Sequence, residues 1–273
     1  MMTLPQAEGG QTPVEMPTKA RSHSAAIALG IILIALGSAM LLLQQSYPSI
    51  SVPQPTQSLT SPDWSGYSIS TDLRNPQPKV TTVSATWTIP KVTTGQGNSF
   101  SAAWIGIGGQ FDQTLIQVGT QHDSSRSSAS YAAWYELLPD YPVTINQLTI
   151  KPGDTISASI ALTSIETNTW TITITDVTTG RTYTTTTVYD SSMLSAEWVV
   201  ERPTVGNRIG SLSNFGEVTF SGCSATVGGK TGSITSFPST SFVMINRLDN
   251  ALVSVSPVKT GGSSFTVSYL SGS

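Results

Sequence analysis

Charged residues are scarce in this chain of 273 residues and make up 11% of it, against about 25% in an ordinary soluble domain. The formal net charge is −3, too small to favour nucleic acid or an anionic membrane surface as a partner. Serine and threonine are abundant, so hydroxyl groups must cover much of the surface. Few carboxylates also means few groups whose protonation unfolds a protein in acid. Two interpretations remain open: an acid-adapted protein, or an exported Ser/Thr-rich β protein.

Cysteine and histidine are nearly absent. Cys223 is the only cysteine, which excludes an intrachain disulfide and a multi-cysteine metal site, and we expect it to be a buried apolar filler. The two histidines are His23 and His122, and the second is predicted to lie in a loop. A catalytic triad or a multi-histidine metal site is therefore almost excluded. Any chemistry must use carboxylates, amides, hydroxyls or aromatic side chains.

Residues 25–43 form an uncharged, strongly apolar run, about long enough to cross the hydrocarbon core of a bilayer. Lys19 and Arg21 precede the run, and the next basic residue is Arg74. The positive-inside rule then predicts a single-pass signal anchor in the cell membrane, with a disordered cytoplasmic tail over 1–24 and the rest of the chain outside. A cleaved signal peptide, which would release a secreted protein, is the alternative.

The remaining chain divides into a tether and a folded domain. Prolines amid serine and glutamine predict an extended tether over 44–62, so we expect the folded domain over 63–273. There, apolar residues alternate with hydroxylated ones, as in Trp170–Thr175, which is the period of a half-buried strand. Glycine-containing turn signals separate such runs, and no helical stripe is present. The pattern predicts an all-β domain, an antiparallel sandwich or barrel.

Two stretches place polar side chains among apolar ones. Within 102–120, Gln117 is surrounded by apolar residues and shares its strand face with Gly119, which we expect to leave space beside the amide. Within 131–142, Glu136 shares a face with two apolar side chains. Each has a structural interpretation, a buried amide bonded to backbone or an exposed strand edge. Each also fits a ligand groove, which combines aromatic walls with a few placed polar groups.

A third stretch, SAEWVVERP at 195–203, places two carboxylates on one strand face. In a strand, Glu197, Val199 and Glu201 point to one side and Trp198 to the other. A charge-poor β protein has little structural need for such a pair, so the stretch indicates a functional site.

Several segments, in this order, resemble the glutamic peptidase family, the eqolisins. They are DWSGY (63–67), VSATWTIP (83–90), AWIGIGG (103–109), LIQVGT (115–120), YAAWYELLP (131–139), LTSIETNTWTITITDVTTGRT (162–182), SAEWVVERP (195–203) and NFGEVTF (214–220). Together they are much more specific than any one of them. The resemblance implies a sandwich of two curved antiparallel sheets, jelly-roll or concanavalin-like, with a catalytic glutamine and glutamate facing a groove on the concave side.

By motif, the resemblance assigns the catalytic pair to Gln117 and Glu201. The residues assigned to shaping the groove, contacting substrate or supporting the pair are Trp64, Trp104, Glu136 and Glu197. The carboxylate would take a proton from water and return it to the departing amine, while the glutamine amide donates to the oxyanion. Since a free glutamate has a pKa of about 4.3, it shuttles protons most readily in acid.

The resemblance further implies an acid endopeptidase for unfolded proteins or peptides, a monomer that needs no metal, no cofactor and no covalent intermediate. Gly108 and Ala132 stand where many fungal members have aspartates, and those members carry disulfides that Cys223 cannot form. The predicted anchor points to a prokaryotic version of the family. Specificity and pH range therefore cannot be carried over from the fungal members.

Two other classes of protein fit parts of the same sequence. In a glycoside hydrolase on a similar sandwich, Glu197 and Glu201 would be the paired acids, and Gln117 would have no task. In a surface adhesin or carbohydrate-binding domain, exposed aromatic residues such as Trp64 and Trp134, together with Trp104, would be sugar platforms. Replacing Gln117 with alanine spares a glycosidase and cripples a glutamic peptidase.

Overall fold

The computed structural model describes residues 57–71, 79–95 and 97–272. Residues 1–43, predicted to hold the cytoplasmic tail and the membrane anchor, lie outside the described residues, as does most of the tether predicted over 44–62. Among the residues that are described, none belongs to a helix long and apolar enough to cross a membrane.

Eighteen strands and one short 3₁₀ helix make up the described chain. The first nine strands are β1 (Gln57–Ser61), β2 (Trp64–Ser70), β3 (Val80–Thr88), β4 (Ser99–Gly108), β5 (Leu115–Ser124), β6 (Ala129–Leu137), β7 (Val143–Thr144), β8 (Thr155–Ser164) and β9 (Thr169–Asp176). The others are β10 (Arg181–Val188), β11 (Ser195–Glu201), β12 (Thr204–Val205), β13 (Arg208–Ile209), β14 (Glu217–Val227), β15 (Lys230–Ser233), β16 (Ser239–Met244), β17 (Val253–Val255) and β18 (Phe265–Tyr269). The 3₁₀ helix covers Ile234–Ser236.

The strands form two large sheets and one small hairpin. The first sheet has the order β1-β16-β2-β11-β4-β5-β6-β7, and the second has the order β10-β9-β8-β3-β14-β18-β17, with β15 added beside β14. Strands β12 and β13 pair only with each other. Among the described strands, every pairing is antiparallel except that of β1 with β16. The predicted all-β antiparallel sandwich is therefore confirmed.

The main core lies between the two sheets. Each sheet contributes alternate residues to it, including Trp198 from β11, Trp87 from β3 and Trp170 from β9, all at most 1% exposed. Burying an aromatic side chain of this size contributes about 2–3 kcal/mol. The expected burial of Cys223 is also confirmed. The intervening residues of the second sheet are largely threonines that bond across strands, such as Thr175 with Thr182.

Two expectations about local structure differ from the fold. Strand β1, Gln57–Ser61, lies inside the segment predicted as a tether, because its parallel pairing with β16 orders a largely exposed strand that has no apolar alternation. The prediction of a loop at His122 was wrong. His122 is buried in β5, where its Nε2 bonds the Thr120 hydroxyl at 2.9 Å.

Candidate active site

Strand β11 places its two glutamates on the face of the first sheet opposite the main core. It lies between β2 and β4, and its residues Ala196, Trp198 and Val200 pack into the core between the sheets. Val199 instead joins a second apolar cluster, on the other face of the sheet. Because side chains alternate along a strand, Glu197 and Glu201 lie on the same side as that second cluster, as the sequence predicts.

The register of the sheet brings Gln117 and Glu136 to this same face. Gln117 on β5 pairs with Glu136 on β6, and across β4 it shares a row with Gly106 and Glu197. The Gln117 Nε2 donates a 2.5 Å hydrogen bond to the Glu136 Oε2. Burial raises the pKa of Glu136, and the hydrogen bond from Gln117 opposes that rise. Glu136 is thus hydrogen-bonded to Gln117, one of the two residues to which the resemblance assigns catalysis.

The Gln117 side chain is nearly enclosed, with 4% of its surface exposed. Its Oε1 has no hydrogen-bond partner among the described residues. A primary amide has two N–H donors and one carbonyl acceptor, and only one of those donors is used by Glu136. The amide therefore keeps one donor and one acceptor free, and an unpaired buried acceptor costs about 1–3 kcal/mol until something bonds to it.

Glu201, at the end of β11, is held by Trp104 on β4. The Trp104 indole Nε1 donates a 2.6 Å hydrogen bond to the Glu201 Oε2. Burial raises the pKa of Glu201 from 4.5 to about 8; the Trp104 bond lowers it, and the charges of Asp63 and Glu136 raise it further. Glu201 thus departs from the free-glutamate value used in the sequence-based prediction, because the groove removes water from its carboxyl group.

Trp104 is fully buried and belongs to the second apolar cluster, on the same sheet face as Glu201. A Cβ at Gly119 would lie 2.4 Å from the Trp104 Cβ, and one at Gly106 would lie 2.9 Å from the Trp104 ring. The expected open space beside Gly119 was therefore wrong, since the Trp104 Cβ and the neighbouring backbone of β4 fill it. Trp64 packs edge-on against Trp104, with ring centroids 5.0 Å apart. Trp104 has no exposed surface and does not line the groove, so its contact with the site is the hydrogen bond to Glu201.

Glu197 differs from Glu201 in being sealed from solvent. Its side chain is fully buried, and neither carboxyl oxygen makes a well-formed hydrogen bond within the described part of the chain. Burial raises its pKa well above the ordinary value; the Ser195 hydroxyl opposes this, and the Asp112 charge adds to it. Burial thus disfavours the charged form of this carboxyl group. Glu197 has no exposed surface at the groove.

Gln117 and Glu201 both line one open groove of about 490 Å³. Apolar walls come from Trp64, Trp134 and Leu138, and the polar lining includes Glu136. Other polar residues that line the groove, and that the sequence does not predict as site residues, include Asp63, Gln121, Asp140 and Tyr141. Gln121 had a usable signal, since it lies four residues after Gln117 and thus on the same strand face. Asp140 and Tyr141 follow β6 in a loop, where alternation gives no information.

The burial of these residues weakens both alternative functions. Glu197 has no exposed surface, so Glu197 and Glu201 are not a pair of accessible acids flanking a sugar groove. Trp104 is 0% exposed and Trp134 is 7% exposed, which leaves neither ring available as a flat sugar platform. Trp64 is only partly buried, and it packs against Trp104 in an edge-to-face arrangement.

The two aspartate replacements differ in their structural setting. Gly108 has a φ of +94°, and a Cβ there would lie 2.3 Å from the Thr114 carbonyl oxygen. Glycine is therefore required by the backbone of this chain at that turn. Ala132 pairs with Gln121 on the row that also holds Glu201, so its methyl group lies on the sheet face that carries the groove.

No group of three or more His, Cys, Asp and Glu side chains is arranged to hold a metal ion among the residues that the structure describes. The carboxyl and amide groups that line the groove are four carboxyl groups and two amides, from Asp63, Glu136, Asp140, Glu201, Gln117 and Gln121. Their chemistry is that of hydrogen bonding and proton transfer.

Comparison with known sequences shows which protein family the chain belongs to. Residues 62–269 match the pattern of the Peptidase A4 family. The chain belongs to that family. It is 30% identical to Aspergillopepsin-2 of Aspergillus niger over 214 residues, which cover 70% of this chain and 73% of that protein. It is also 30% identical to Scytalidopepsin B of Scytalidium lignicola over 201 residues, covering 69% and 73% of the two chains.

Solved structures of family members share the fold of this Peptidase A4 protein. Scytalido-glutamic peptidase, solved with a transition state analogue inhibitor, superimposes with a TM-score of 0.64 at 23% identity, covering 78% of this chain and all of that one. Aspergilloglutamic peptidase from Aspergillus niger gives a TM-score of 0.55 at 32% identity, covering 63% and 99%. The protein is a glutamic endopeptidase.

Proposed function

We propose that this peptidase cleaves unfolded polypeptides in acid, with Gln117 and Glu201 as its catalytic pair. The observation that carries the proposal is that both side chains line one groove. Glu201 accepts a hydrogen bond from Trp104 on β4, and Gln117 donates one to Glu136 on β6. Rigid placement of the reacting groups on strands is what hydrolysis of a peptide bond requires.

Gln117 has the donors and acceptor that the reaction needs. One amide N–H is used by Glu136, which orients the group and leaves the second N–H to donate to the developing oxyanion. Preorganised donors of this kind contribute about 3–4 kcal/mol in other hydrolases. The free Oε1 accepts a hydrogen bond from the attacking water, which relieves its lack of a partner.

Glu201 moves the proton in this proposal. As carboxylate it takes a proton from the attacking water, and as carboxylic acid it returns that proton to the departing nitrogen. Burial raises its pKa to about 8, so the resting carboxyl group carries a proton in acid and must lose it first. Once ionised, it is a stronger base than an ordinary glutamate, and the Trp104 N–H stabilises its charge.

Acid operation is supported by the scarcity of charged residues, because a protein with few carboxylates has few groups whose protonation unfolds it in acid. Burial is the main reason that the pKa of Glu201 is raised, and the charges of Asp63 and Glu136 raise it further. Only a small fraction of Glu201 is therefore ionised in acid, and that fraction acts as the base.

The test is proteolysis of an unfolded protein by the purified full chain between about pH 2 and 7, the range over which carboxyl groups titrate. Products are identified by mass spectrometry, and Glu201→Gln is assayed beside the parent after circular dichroism shows that both are folded. We expect cleavage in acid by the parent and none by the variant. A folded parent that cleaves nothing at any pH, or a variant as active as the parent, would reject the proposal.

We also propose that the peptidase domain acts outside the cell, held by the segment 25–43 or released if that segment is cleaved. The support is the distribution of basic residues, with Lys19 and Arg21 before the run and no other until Arg74. Protease added to intact cells should digest the domain and leave the residues before the run protected. Protection of the whole chain would contradict the predicted orientation.

A further inference from the structure

A second cavity of about 700 Å³ opens beside the active-site groove. We call it the arginine pocket, because Arg202, Arg208 and Arg247 line it. They are three of the seven arginines in the whole chain. No Asp or Glu is among the residues that line the pocket, so all the charged residues of its lining are cationic. In a protein with so few charges, three guanidinium groups around one cavity indicate an anionic ligand.

The three arginines come from separate parts of the fold. Arg202 follows β11 directly, Arg208 lies on β13, and Arg247 follows β16. Arg208 and Arg247 are exposed, whereas Arg202 is half-buried. The fold therefore brings three positive charges from separate segments close together. Without a bound anion, the repulsion between them is unfavourable.

Arg202 has hydrogen-bonding capacity that the described residues do not use. Its Nη2 donates a 2.6 Å bond to the Pro62 carbonyl oxygen, which fixes the guanidinium group. Its Nε is buried and has no partner among the described residues. Burial lowers the pKa of Arg202, the charge of Asp63 opposes this, and the charge of Arg247 adds to it. A ligand oxyanion in the pocket would reduce the repulsion between Arg202 and Arg247.

The arginine pocket and the groove share a wall. Asp63, Glu201 and Pro203 line the groove, while their neighbours Pro62 and Arg202 line the pocket. The Arg202 backbone N–H donates a 2.8 Å bond to the Asp63 carbonyl oxygen and so joins the two segments of this wall.

The hairpin of β12 and β13 contributes to both cavities. Thr204 and Gly206 face the groove, whereas Arg208 and Ile209 face the pocket. A polypeptide that leaves the groove along this hairpin thus reaches the three arginines.

We propose that the arginine pocket is an exosite, which binds the carboxylate groups of an acidic segment of the polypeptide substrate away from the cleaved bond. Ile209 and Leu248, exposed by 40% and 80%, lie at the pocket and offer apolar contact to the rest of such a segment. The inference rests on the proposed function, because the ligand is taken to be part of a substrate. Its binding step is nevertheless measurable without any cleavage.

The binding test uses the full chain carrying Glu201→Gln, which does not turn over the ligand. Two peptides are titrated by calorimetry at about pH 5.5, where peptide carboxylates are ionised; they differ only in four glutamates replaced by glutamines. We expect the acidic peptide to bind about three- to tenfold more tightly, the range of one or two partly exposed ion pairs. Added salt should reduce this preference.

Matched arginine variants show which residues cause the preference for the acidic peptide. Adding Arg208→Gln and Arg247→Gln should abolish it, whereas Arg126→Gln and Arg181→Gln remove the same charge from exposed sites elsewhere and should leave it unchanged. Equal affinity for the two peptides in the Glu201→Gln protein would overturn the proposal. So would a preference that persists without Arg208 and Arg247.

A kinetic measurement separates failure of the exosite from failure of the proposed activity. With one cleavage sequence followed by an acidic or an amidated tail, the parent should show a KM about three- to tenfold lower for the acidic substrate, with similar kcat. Arg208→Gln with Arg247→Gln should raise only that KM. Cleavage of both substrates with equal KM rejects the exosite alone, whereas absence of all cleavage rejects the peptidase proposal and leaves the binding result to stand by itself.

Discussion

The indole N–H of Trp104 points at the carboxyl group of Glu201 and donates a 2.6 Å hydrogen bond to its Oε2. Trp104 has no exposed surface, and the absence of a side chain at Gly119 leaves room for its Cβ. A residue in the interior of the sheet thus fixes the orientation of the proposed catalytic acid.

Replacing Trp104 with phenylalanine removes this donor while keeping an aromatic ring. A hydrogen bond to a charged group is worth about 1.5–3 kcal/mol, so we expect kcat to fall by about 10- to 100-fold and the pKa of Glu201 to rise further. Trp134→Phe is the matched control, because the Trp134 indole nitrogen has no partner among the described residues. Similar losses in both variants would show that packing matters and the Trp104 donor does not.

Glu201 makes folding stability depend on pH in a defined direction. Its folded-state pKa of about 8 lies above the ordinary 4.5, so its contribution is fully present below about pH 4.5 and is lost as the pH rises towards 8. Glu201→Gln should therefore be more stable than the parent at pH 8, by about 2–4 kcal/mol, and closer to it at pH 4. Denaturant unfolding at both pH values measures this, with Glu166→Gln in an exposed turn as the control. A constant difference between parent and variant would contradict the burial of this carboxyl group.

His122 should act on stability in the opposite direction. Burial lowers its pKa from 6.5 to about 3, so its contribution is complete above about pH 6.5 and is lost as the pH falls towards 3. His122→Gln should lower the melting temperature at pH 7 through lost packing, but its melting temperature should fall less than that of the parent between pH 6.5 and 3. A parallel decline in both proteins would mean that His122 accepts a proton in the folded state.

Gly119 is required by the position of Trp104. A Cβ added there would lie 2.4 Å from the Trp104 Cβ and 2.5 Å from the Ala103 carbonyl oxygen. Because the Ala103 carbonyl group and the Trp104 Cβ both belong to the paired strand β4 and cannot easily move away, Gly119→Ala should destabilise the fold by about 3 kcal/mol or more. Gly97→Ala is the control, since no atom lies within 4 Å of the added Cβ. A stable Gly119→Ala protein with full activity would refute the tight packing beneath the groove.

Local sequence patterns predicted the strands and the faces of their side chains. Alternation in β9 gave the correct buried residues, and in β11 it gave the correct two faces, although every residue of β11 except Glu201 is buried. The ordered motifs pointed to Gln117 and Glu201, and both line one groove. Both succeed because strand periodicity and motif order are properties of neighbouring residues in the chain.

The features that the sequence did not predict depend on contacts between residues that are distant in the chain. The filling of the space at Gly119 by Trp104 depends on the β4–β5 register, and the ordering of β1 depends on β16. The raised pKa of Glu201 depends on how completely the sheet face is covered, which no single stretch reveals. Gln121 stood on the right strand face, but only its row, shared with Glu201, shows that it reaches the groove.

The two groove glutamines allow the most direct test of the catalytic pair. Gln117 and Gln121 lie on the same strand and line the same groove, but only Gln117 is proposed to stabilise the oxyanion. We predict that Gln117→Ala lowers kcat by about 100- to 1,000-fold with little change in KM, while Gln121→Ala costs less than tenfold, both measured on one acid-cleaved peptide with folding verified. Equal kcat values for the two variants, or a Gln117→Ala protein as active as the parent, would contradict the assignment of Gln117.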